Sequence, residues 1–302
     1  MTRHARGSDA GWPRAGGWDT VRVMGRVRTG IRLAGQSWRI VRTERSLLAF
    51  PVLSAAFAIA YLIVVIAPLG AVGYLVFGNN TILQLVVLFL MLLGSSIGAT
   101  FFGVAAASNA SAVFDGRNPT IGDGVRVARS RLGVIVKWAV VSATVGALLQ
   151  AIGERGGIGG ALVQVIGGVA WSIASFFALP ILALEGLGPF ETLKRSLAVV
   201  RQKWGESLVG GVAIGFVTGL IALAGIGVVV LGILLGMRAT WAGGVPLIAI
   251  GAIVFVAALT VGSVLRAVFT VAVYRYATEG AALGGFAAED LDRAFRPKRG
   301  RL

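Results

Sequence analysis

An uncharged run of 31 residues begins at Leu47 and reads LLAFPVLSAAFAIAYLIVVIAPLGAVGYLVF, residues 47–77. Its two prolines, Pro51 and Pro68, lie near its ends. A transmembrane helix needs about 20 predominantly apolar residues to cross roughly 30 Å of hydrocarbon. The run is longer than that and contains no charge that would favour an aqueous surface. It therefore predicts a helix that spans a membrane.

Five similar runs follow, so the sequence predicts an all-α transmembrane bundle. The six predicted spans are residues 47–77, 82–107, 134–152, 161–184, 208–235 and 245–273. None alternates with period two, as the strands of an outer-membrane barrel do. The transmembrane domain is predicted to cover residues 24–280, between a disordered basic tail at 1–23 and a charged cytoplasmic tail at 281–302.

The composition agrees with a membrane protein and excludes several kinds of site. Of 302 residues, 56% are hydrophobic and 14% charged, against roughly 25% charged in soluble proteins. The chain has no cysteine, and its only histidine is His4 in the tail. Disulfides, thiolate chemistry and cysteine-ligated metals are excluded, and neither a histidine base nor a histidine-rich metal site is expected. We expect no cofactor.

The net charge of +15 is distributed unevenly between the spans. Segments on one side carry 25 Lys and Arg residues, and the three short links on the other side carry two, Arg155 and Arg238. Cytoplasmic loops hold the excess of basic residues in membrane proteins, so both termini are predicted to be cytoplasmic, and nucleic-acid binding is not expected. The Arg-rich, Lys-poor composition favours a bacterial cytoplasmic membrane. The N-terminal tail lacks the layout of a signal peptide, and Met24 is an alternative start.

Three basic segments resemble one another: residues 30–55, 119–143 and 188–213. Each predicts a short amphipathic helix at the membrane interface, followed by a transmembrane hairpin, which would make three parallel repeats. The other reading is that any cytoplasmic loop between apolar spans has this pattern. In the repeat reading, Leu193, Leu197 and Val200 face the acyl boundary, and basic side chains contact lipid headgroups. The candidate headgroup contacts are Arg39, Arg42, Arg126, Arg129, Lys194, Arg195 and Arg201.

Three motifs carry a resemblance to known membrane proteins: SWRIVR before span one, GPFETLKRS before span five and VFTVAVYRYAT at the end of span six. The chain resembles an uncharacterised family of six-helix bacterial and archaeal membrane proteins over about residues 24–280. More distantly, it is similar to the membrane domain of glycerophosphodiester phosphodiesterases, although their catalytic barrel is absent. The resemblance implies a six-helix membrane fold and assigns no activity and no site residues.

Few polar side chains lie within the predicted spans. The candidates are Arg266, Gln84, Gln150 and Gln164, with a serine and asparagine cluster of Ser95, Ser96, Ser108, Asn109 and Ser111. Arg266 has two readings: its side chain extends to the cytoplasmic phosphates, or it lines a polar cavity. The other groups either form interhelical hydrogen bonds or line a hydrophilic path. Small-residue spacing predicts close helix packing at Gly94, Gly98, Gly211, Gly215 and Gly219.

The sequence shows neither paired carboxylates nor a nucleophile paired with a base, so it does not indicate an enzyme. No acidic residue lies between Glu44 and Asp115 or between Glu206 and Glu279, so coupling to protons or sodium ions is not expected. Two functions stay open. One is a non-enzymatic membrane-organising protein that binds anionic lipids; the other is a permease or export subunit for an uncharged or amphipathic solute. A homo-oligomer or a partner membrane protein is compatible with either.

Overall fold

The computed structural model describes residues 46–78, 80–202, 207–238 and 241–279. Within these ranges the chain is helical and contains no strand. Six segments are long and apolar enough to cross a membrane: Ser46–Val76, Thr81–Phe114, Leu132–Arg155, Gly157–Leu184, Val217–Arg238 and Trp241–Glu279. The predicted all-α bundle with six spans is confirmed, and the chain is a multi-pass membrane protein. The predictions for both tails and for Met24 fall outside the described residues.

The helices alternate between spans and short surface segments. The first span comprises α1 (Ser46–Tyr61), a π-helical turn (Leu62–Ile66) and α2 (Ala67–Phe77), and the second is α3 (Thr81–Phe114). Two spans follow the short helix α4 (Ile121–Ser130): α5 (Leu132–Arg155), then α6 (Gly157–Ala174) continued by α7 (Ala178–Leu184). The last three helices are α8 (Pro189–Gln202), α9 (Ser207–Arg238) and α10 (Trp241–Glu279).

Tight connections join the spans at one end of the bundle. Gly78 adopts a φ of +61° before α3, and the Asn80 side chain accepts hydrogen bonds from the backbone N–H groups of Ile82 and Leu83. The α5–α6 connection turns at Gly157, with a φ of +54°. We call this the hairpin end. The opposite end, which holds α4, α8 and the last turns of α10, is called the basic end.

The buried core lies in the half of the bundle next to the basic end. It includes Phe50 of α1, Val104 of α3, Ile135 of α5, Phe177 before α7 and Phe269 of α10. Toward the hairpin end the apolar side chains are mostly exposed, for example Val64, Leu75 and Ile158. Exposed aliphatic side chains in such number are typical of helices that face lipid. α3 is central and packs against α1, α4, α5, α7 and α10.

Glycines set the close contact between the last two spans. α9 packs chiefly against α10, and the contact involves Gly225 and Gly232 on α9 and Gly244 and Gly251 on α10. A Cβ on Gly225 would lie 2.8 Å from the Phe255 backbone nitrogen and 2.9 Å from the Gly251 carbonyl oxygen. The two backbones therefore approach too closely for any side chain at this position.

Candidate functional site at the basic end

The short helix α4 begins with a reciprocal cap. The Thr120 side chain accepts a hydrogen bond from the Asp123 backbone N–H, and the Asp123 carboxylate accepts one from the Thr120 backbone N–H at 2.9 Å. This capping box satisfies two donors that a helix start leaves unpaired. The Thr120 hydroxyl also bonds to Asp123, and these bonds lower the pKa of the Asp123 carboxyl below its usual value.

The inner face of α4 packs directly on two spans. Ala128 is fully buried, and a Cβ on Gly124 would lie 2.7 to 2.8 Å from atoms of Asn109, Ala105 and Phe50. The Asn109 side-chain amide donates a hydrogen bond to the Thr120 carbonyl oxygen at 2.9 Å. Asn109 therefore bonds to the loop that starts α4, and small residues bring that helix against α3 and α1.

The second short helix, α8, packs where the fourth span is interrupted. Pro180 has no backbone N–H, and its ring would clash with the carbonyl of Phe176, so a continuous helix is disfavoured at this point. The helix is interrupted between α6 and α7. There the Phe177 N–H donates a hydrogen bond to the Ser196 hydroxyl oxygen at 3.2 Å. Thr192 and Ser196 are both fully buried in this contact.

The apolar face of α8 therefore packs against protein, which corrects one expectation. Val200 is 3% exposed and belongs to the core, and Leu193 packs against that core. Leu197 is half-buried. The sequence predicted that these residues face the acyl boundary, but the break between α6 and α7 opens a space that α8 fills. An amphipathic helix satisfies either environment, since both are apolar.

A carboxylate at the end of α7 connects three elements. Glu185 accepts a hydrogen bond from the Tyr274 hydroxyl of α10 and a second from Arg195 Nε of α8 at 3.3 Å. Hydrogen bonding to Tyr274 and the proximity of Glu185 raise the pKa of Arg195. Arg195, predicted to contact lipid, is therefore engaged in holding α8 against α7 and α10.

A second ion pair connects the ends of α3 and α10. Arg275, with a side chain 15% exposed, lies 2.6 Å from Asp115 and 3.0 Å from Glu279. It also donates to the carbonyl and hydroxyl oxygens of Ser111 at 3.2 and 3.3 Å. Hydrogen bonds from Arg117 and then from Arg275 hold the pKa of the Asp115 carboxyl below its usual 3.8. These side chains fix the basic end.

Basic residues remain on the outer faces of the two short helices. The Arg126 side chain is 80% exposed and pairs with Asp123 at 3.0 Å. Arg129, Lys194 and Arg201 are exposed, and no ion pair joins them to another described residue. We call these three residues the outer basic face. Arg39 and Arg42, the other predicted headgroup contacts, and the helix predicted before span one fall outside the described residues.

The three predicted glutamines of the spans lie at the hairpin end, away from Arg266. Gln84, Gln150 and Gln164 lie toward the hairpin end, where Gln84 lines a cavity of about 290 Å³ with Glu154 and Arg155. Gln150 donates a hydrogen bond to Glu154 at 3.0 Å, and the Gln164 amide lies against Gly153. Because α5 continues to Arg155, the Glu154 carboxylate lies within the helix of the third span, two residues beyond its predicted end.

Arg266 lies at the surface of the α9–α10 pair. Its side chain is exposed, and its guanidinium Nη2 would be 2.8 Å from a Cβ on Gly215. Arg266 precedes Arg275 by nine residues, about 13 Å on a helix. This exposed position is what extension toward the phosphates requires. Arg266 lines neither the polar cavity nor the apolar groove between α1 and α10.

The predicted packing glycines have different surroundings. Gly94 lies against the Tyr61 ring and Gly98 against the Phe57 ring, between α3 and the first span. Gly215 faces Arg266, whereas a Cβ on Gly219 would meet nothing within 4 Å. Within the described part of the chain, Gly219 therefore has no packing partner. The environment of Gly211 is outside the described side chains.

Two features of the site were not anticipated. The ion pairs Glu185–Arg195 and Asp115–Arg275 join residues 10 and 160 positions apart, and nothing local in the sequence marks the second. The motif VFTVAVYRYAT does contain Tyr274 and Arg275, and GPFETLKRS contains Arg195. The motifs that carried the family resemblance thus supply Arg195, Tyr274 and Arg275, the donors that bond to Glu185 and Asp115 at the basic end.

Comparison with known proteins identifies a family for this chain. No protein with a curated description matches the chain, and the distant similarity to glycerophosphodiester phosphodiesterases finds no support. The model of a family of unknown function matches residues 82–285, a range that contains two of the three motifs. SWRIVR, at residues 37–42, lies outside the match. Since the match covers more than half of the sequence, the chain belongs to the family of unknown function DUF6159.

Proposed function

We propose that this protein is a non-enzymatic membrane-organising protein that binds anionic lipid headgroups. It would lie in the bacterial cytoplasmic membrane, with the basic end and both termini on the cytoplasmic side. The uneven distribution of Lys and Arg supports this orientation. The headgroup contacts would be the residues of the outer basic face on α4 and α8.

The division between paired and unpaired charges carries this proposal. Near the core, Arg195 and Arg275 are engaged by the carboxylates Glu185, Asp115 and Glu279. On the outer faces, Arg129, Lys194 and Arg201 are exposed and pair with no described acid. A basic side chain next to an anionic leaflet contributes about 1 kcal/mol to binding. Because α4 and α8 are fixed on the bundle, they would hold these charges at a constant position relative to the lipid headgroups.

Lipid retention tests the proposal. The triple variant Arg129→Gln, Lys194→Gln, Arg201→Gln should retain much less anionic lipid on purification, with each removed charge reducing enrichment up to about fivefold. Arg238→Gln, at the hairpin end, is the control and should retain as much as the wild type. Lipid bound to the full chain is measured by mass spectrometry. Equal anionic-lipid content in the triple variant and the wild type would contradict the proposal.

A second candidate function rests on the polar cavity at the hairpin end. Gln84 and Glu154 line this cavity, and Gln150 donates a hydrogen bond to Glu154, so the cavity could accept a polar solute. As a permease or export subunit, the protein would move an uncharged or amphipathic solute. Gln84→Leu should then reduce solute flux in reconstituted vesicles, and unchanged flux would count against this candidate.

A further inference from the structure

The cavity at the hairpin end has opposite charges side by side on its rim. It lies between the start of α3 and the end of α5 and is lined by Thr81, Gln84, Glu154 and Arg155, with Leu85 and Leu88 among its apolar side chains. In the sequence, Glu154 and Arg155 are two of only three charged residues in the links at this end; the third is Arg238. Among the described residues, no ion pair neutralises either charge.

The carboxylate is held in place while keeping room for a further donor. The Gln150 amide donates to Glu154 Oε1 at 3.0 Å. An ionised carboxylate has about four acceptor positions on its two oxygens, so this bond leaves most of them available. Arg155, with five N–H donors and no acceptor, suits a phosphate or a carboxylate. A ligand that carries both an ammonium and an anionic group would satisfy both side chains.

The position of the cavity along α5 places it at a membrane boundary. Lys137 and Glu154 are 17 residues apart, with no charged residue between them. That spacing corresponds to about 26 Å of helix, close to the roughly 30 Å thickness of the hydrocarbon core. With Lys137 at one interface, Glu154 and Arg155 lie near the other. The apolar leucines of the cavity are then on the side of the acyl chains.

From this geometry we infer that the hairpin-end cavity binds a phosphoethanolamine group, with its ammonium on Glu154 and its phosphate on Arg155. Its volume of about 290 Å³ is at the lower limit of the roughly 300–1,000 Å³ typical of pockets for drug-sized ligands, so it suits a headgroup and not a larger molecule. The group belongs either to a phospholipid of the adjoining leaflet or to a soluble phosphodiester such as glycerophosphoethanolamine. The site lies at the opposite end from the outer basic face and shares no residue with it.

The test compares lipids that differ in the ammonium group. The full chain is reconstituted with equal amounts of phosphatidylethanolamine and phosphatidylglycerol, and bound lipid is measured by native mass spectrometry. The wild type should retain bound phosphatidylethanolamine in addition to the phosphatidylglycerol held by the outer basic face. Glu154→Gln, which keeps the shape and the bond to Gln150, should lower the amount of bound phosphatidylethanolamine by about tenfold, the size of one charge-assisted hydrogen bond. Arg155→Gln should reduce phosphatidylethanolamine retention by a similar factor.

Arg238→Gln is the matched control, because it removes an arginine at the same end but outside the cavity. It should behave as the wild type; if it reproduces Arg155→Gln, the effect is one of general charge and the inference fails. The inference also fails if both cavity variants bind phosphatidylethanolamine as the wild type does. Addition of glycerophosphoethanolamine separates the two sources: competition that Glu154→Gln abolishes identifies a soluble ligand, and its absence, with phosphatidylethanolamine bound, identifies the lipid. The triple variant of the outer basic face should lose phosphatidylglycerol but bind as much phosphatidylethanolamine as the wild type.

Discussion

Ser196 joins a surface helix to a membrane span through one hydrogen bond, from the Phe177 N–H to its hydroxyl oxygen. The sequence could not predict this bond, because Ser196 appeared there only within an amphipathic segment and as the last residue of GPFETLKRS. Its role depends on the helix break before Pro180, which leaves the Phe177 N–H without a partner in its own helix. Periodicity identifies the face of a helix that is apolar, but it does not identify the neighbour that covers it.

Removal of this hydroxyl should destabilise the fold. Ser196→Ala leaves a buried N–H without an acceptor, which costs about 1–3 kcal/mol of unfolding free energy. Ser130→Ala is the matched control, since Ser130 is exposed and bonds only to the Val127 carbonyl of its own helix. Unfolding of both variants in detergent should show a loss for Ser196→Ala and almost none for Ser130→Ala. A similar loss in both would contradict this role.

Asp115 should make the free energy of unfolding depend on pH in the acidic range. Its pKa in the folded chain is below 3.8 because it accepts hydrogen bonds from Arg117 and Arg275, so the folded state favours the charged form. The stabilisation is therefore fully present above pH 3.8 and is lost as the pH falls through the lowered value. At neutral pH, Asp115→Asn should reduce the unfolding free energy by about 1 kcal/mol, a low figure because the carboxylate is partly exposed.

The measurement is a series of unfolding experiments on wild type and Asp115→Asn from pH 7 to pH 3. The difference between the two chains should be constant near neutrality and should decrease below pH 3.8. A difference that does not change with pH would show that the Asp115 charge is not responsible. Arg275 keeps its bond to Glu279 in this variant, so the last turn of α10 should remain folded.

At the level of helices, the sequence predicted the spans well and their contacts only in part. Long apolar runs have one stable environment, so the number of spans follows from hydropathy. The glycine contacts were harder to predict, because residue spacing identifies a row of small residues but does not show whether that row packs against another helix. Gly94 and Gly98 lie against aromatic rings, while a Cβ on Gly219 would meet no described atom within 4 Å. Gly225, which was not singled out, meets the α10 backbone.

The contact between α9 and α10 should be sensitive to a single methyl group. Gly225→Ala places a Cβ within 2.9 Å of backbone atoms of α10, which cannot move aside as a flexible side chain can. Overpacking of this kind costs about 1–3 kcal/mol. Gly219→Ala, on the same helix, meets nothing within 4 Å and should be neutral or slightly stabilising, because alanine favours helix. Equal unfolding midpoints for the two variants would show that the close approach is not required.

Across the whole molecule, the two ends are built differently. The basic end holds the core, the two short helices and all five ion pairs of the described residues, whereas the hairpin end has short connections and exposed apolar side chains. The unequal distribution of arginine was visible in the sequence. The concentration of the core was not, because it depends on which spans meet around α3, and hydropathy alone treats all positions along a span as equivalent.

The proposed orientation is directly testable because the chain contains no cysteine, so an introduced thiol is the only one present. Ile158→Cys lies at the hairpin end at a position that is 94% exposed, and Ser130→Cys lies at the basic end. In intact cells a membrane-impermeant maleimide should label Ile158→Cys, and it should label Ser130→Cys only after permeabilisation. The reverse pattern would invert the topology and place the outer basic face away from the cytoplasm.

The confinement of the core to one half has a consequence for how the protein responds to its bilayer. Side chains near the basic end have protein neighbours, and their packing is independent of lipid length. Near the hairpin end, apart from the glycine contact of α9 with α10, the exposed apolar side chains face acyl chains, so a thinner or thicker membrane acts mainly on that half. Tilting or splaying of the free half would accommodate the mismatch, while the fastened half keeps its shape.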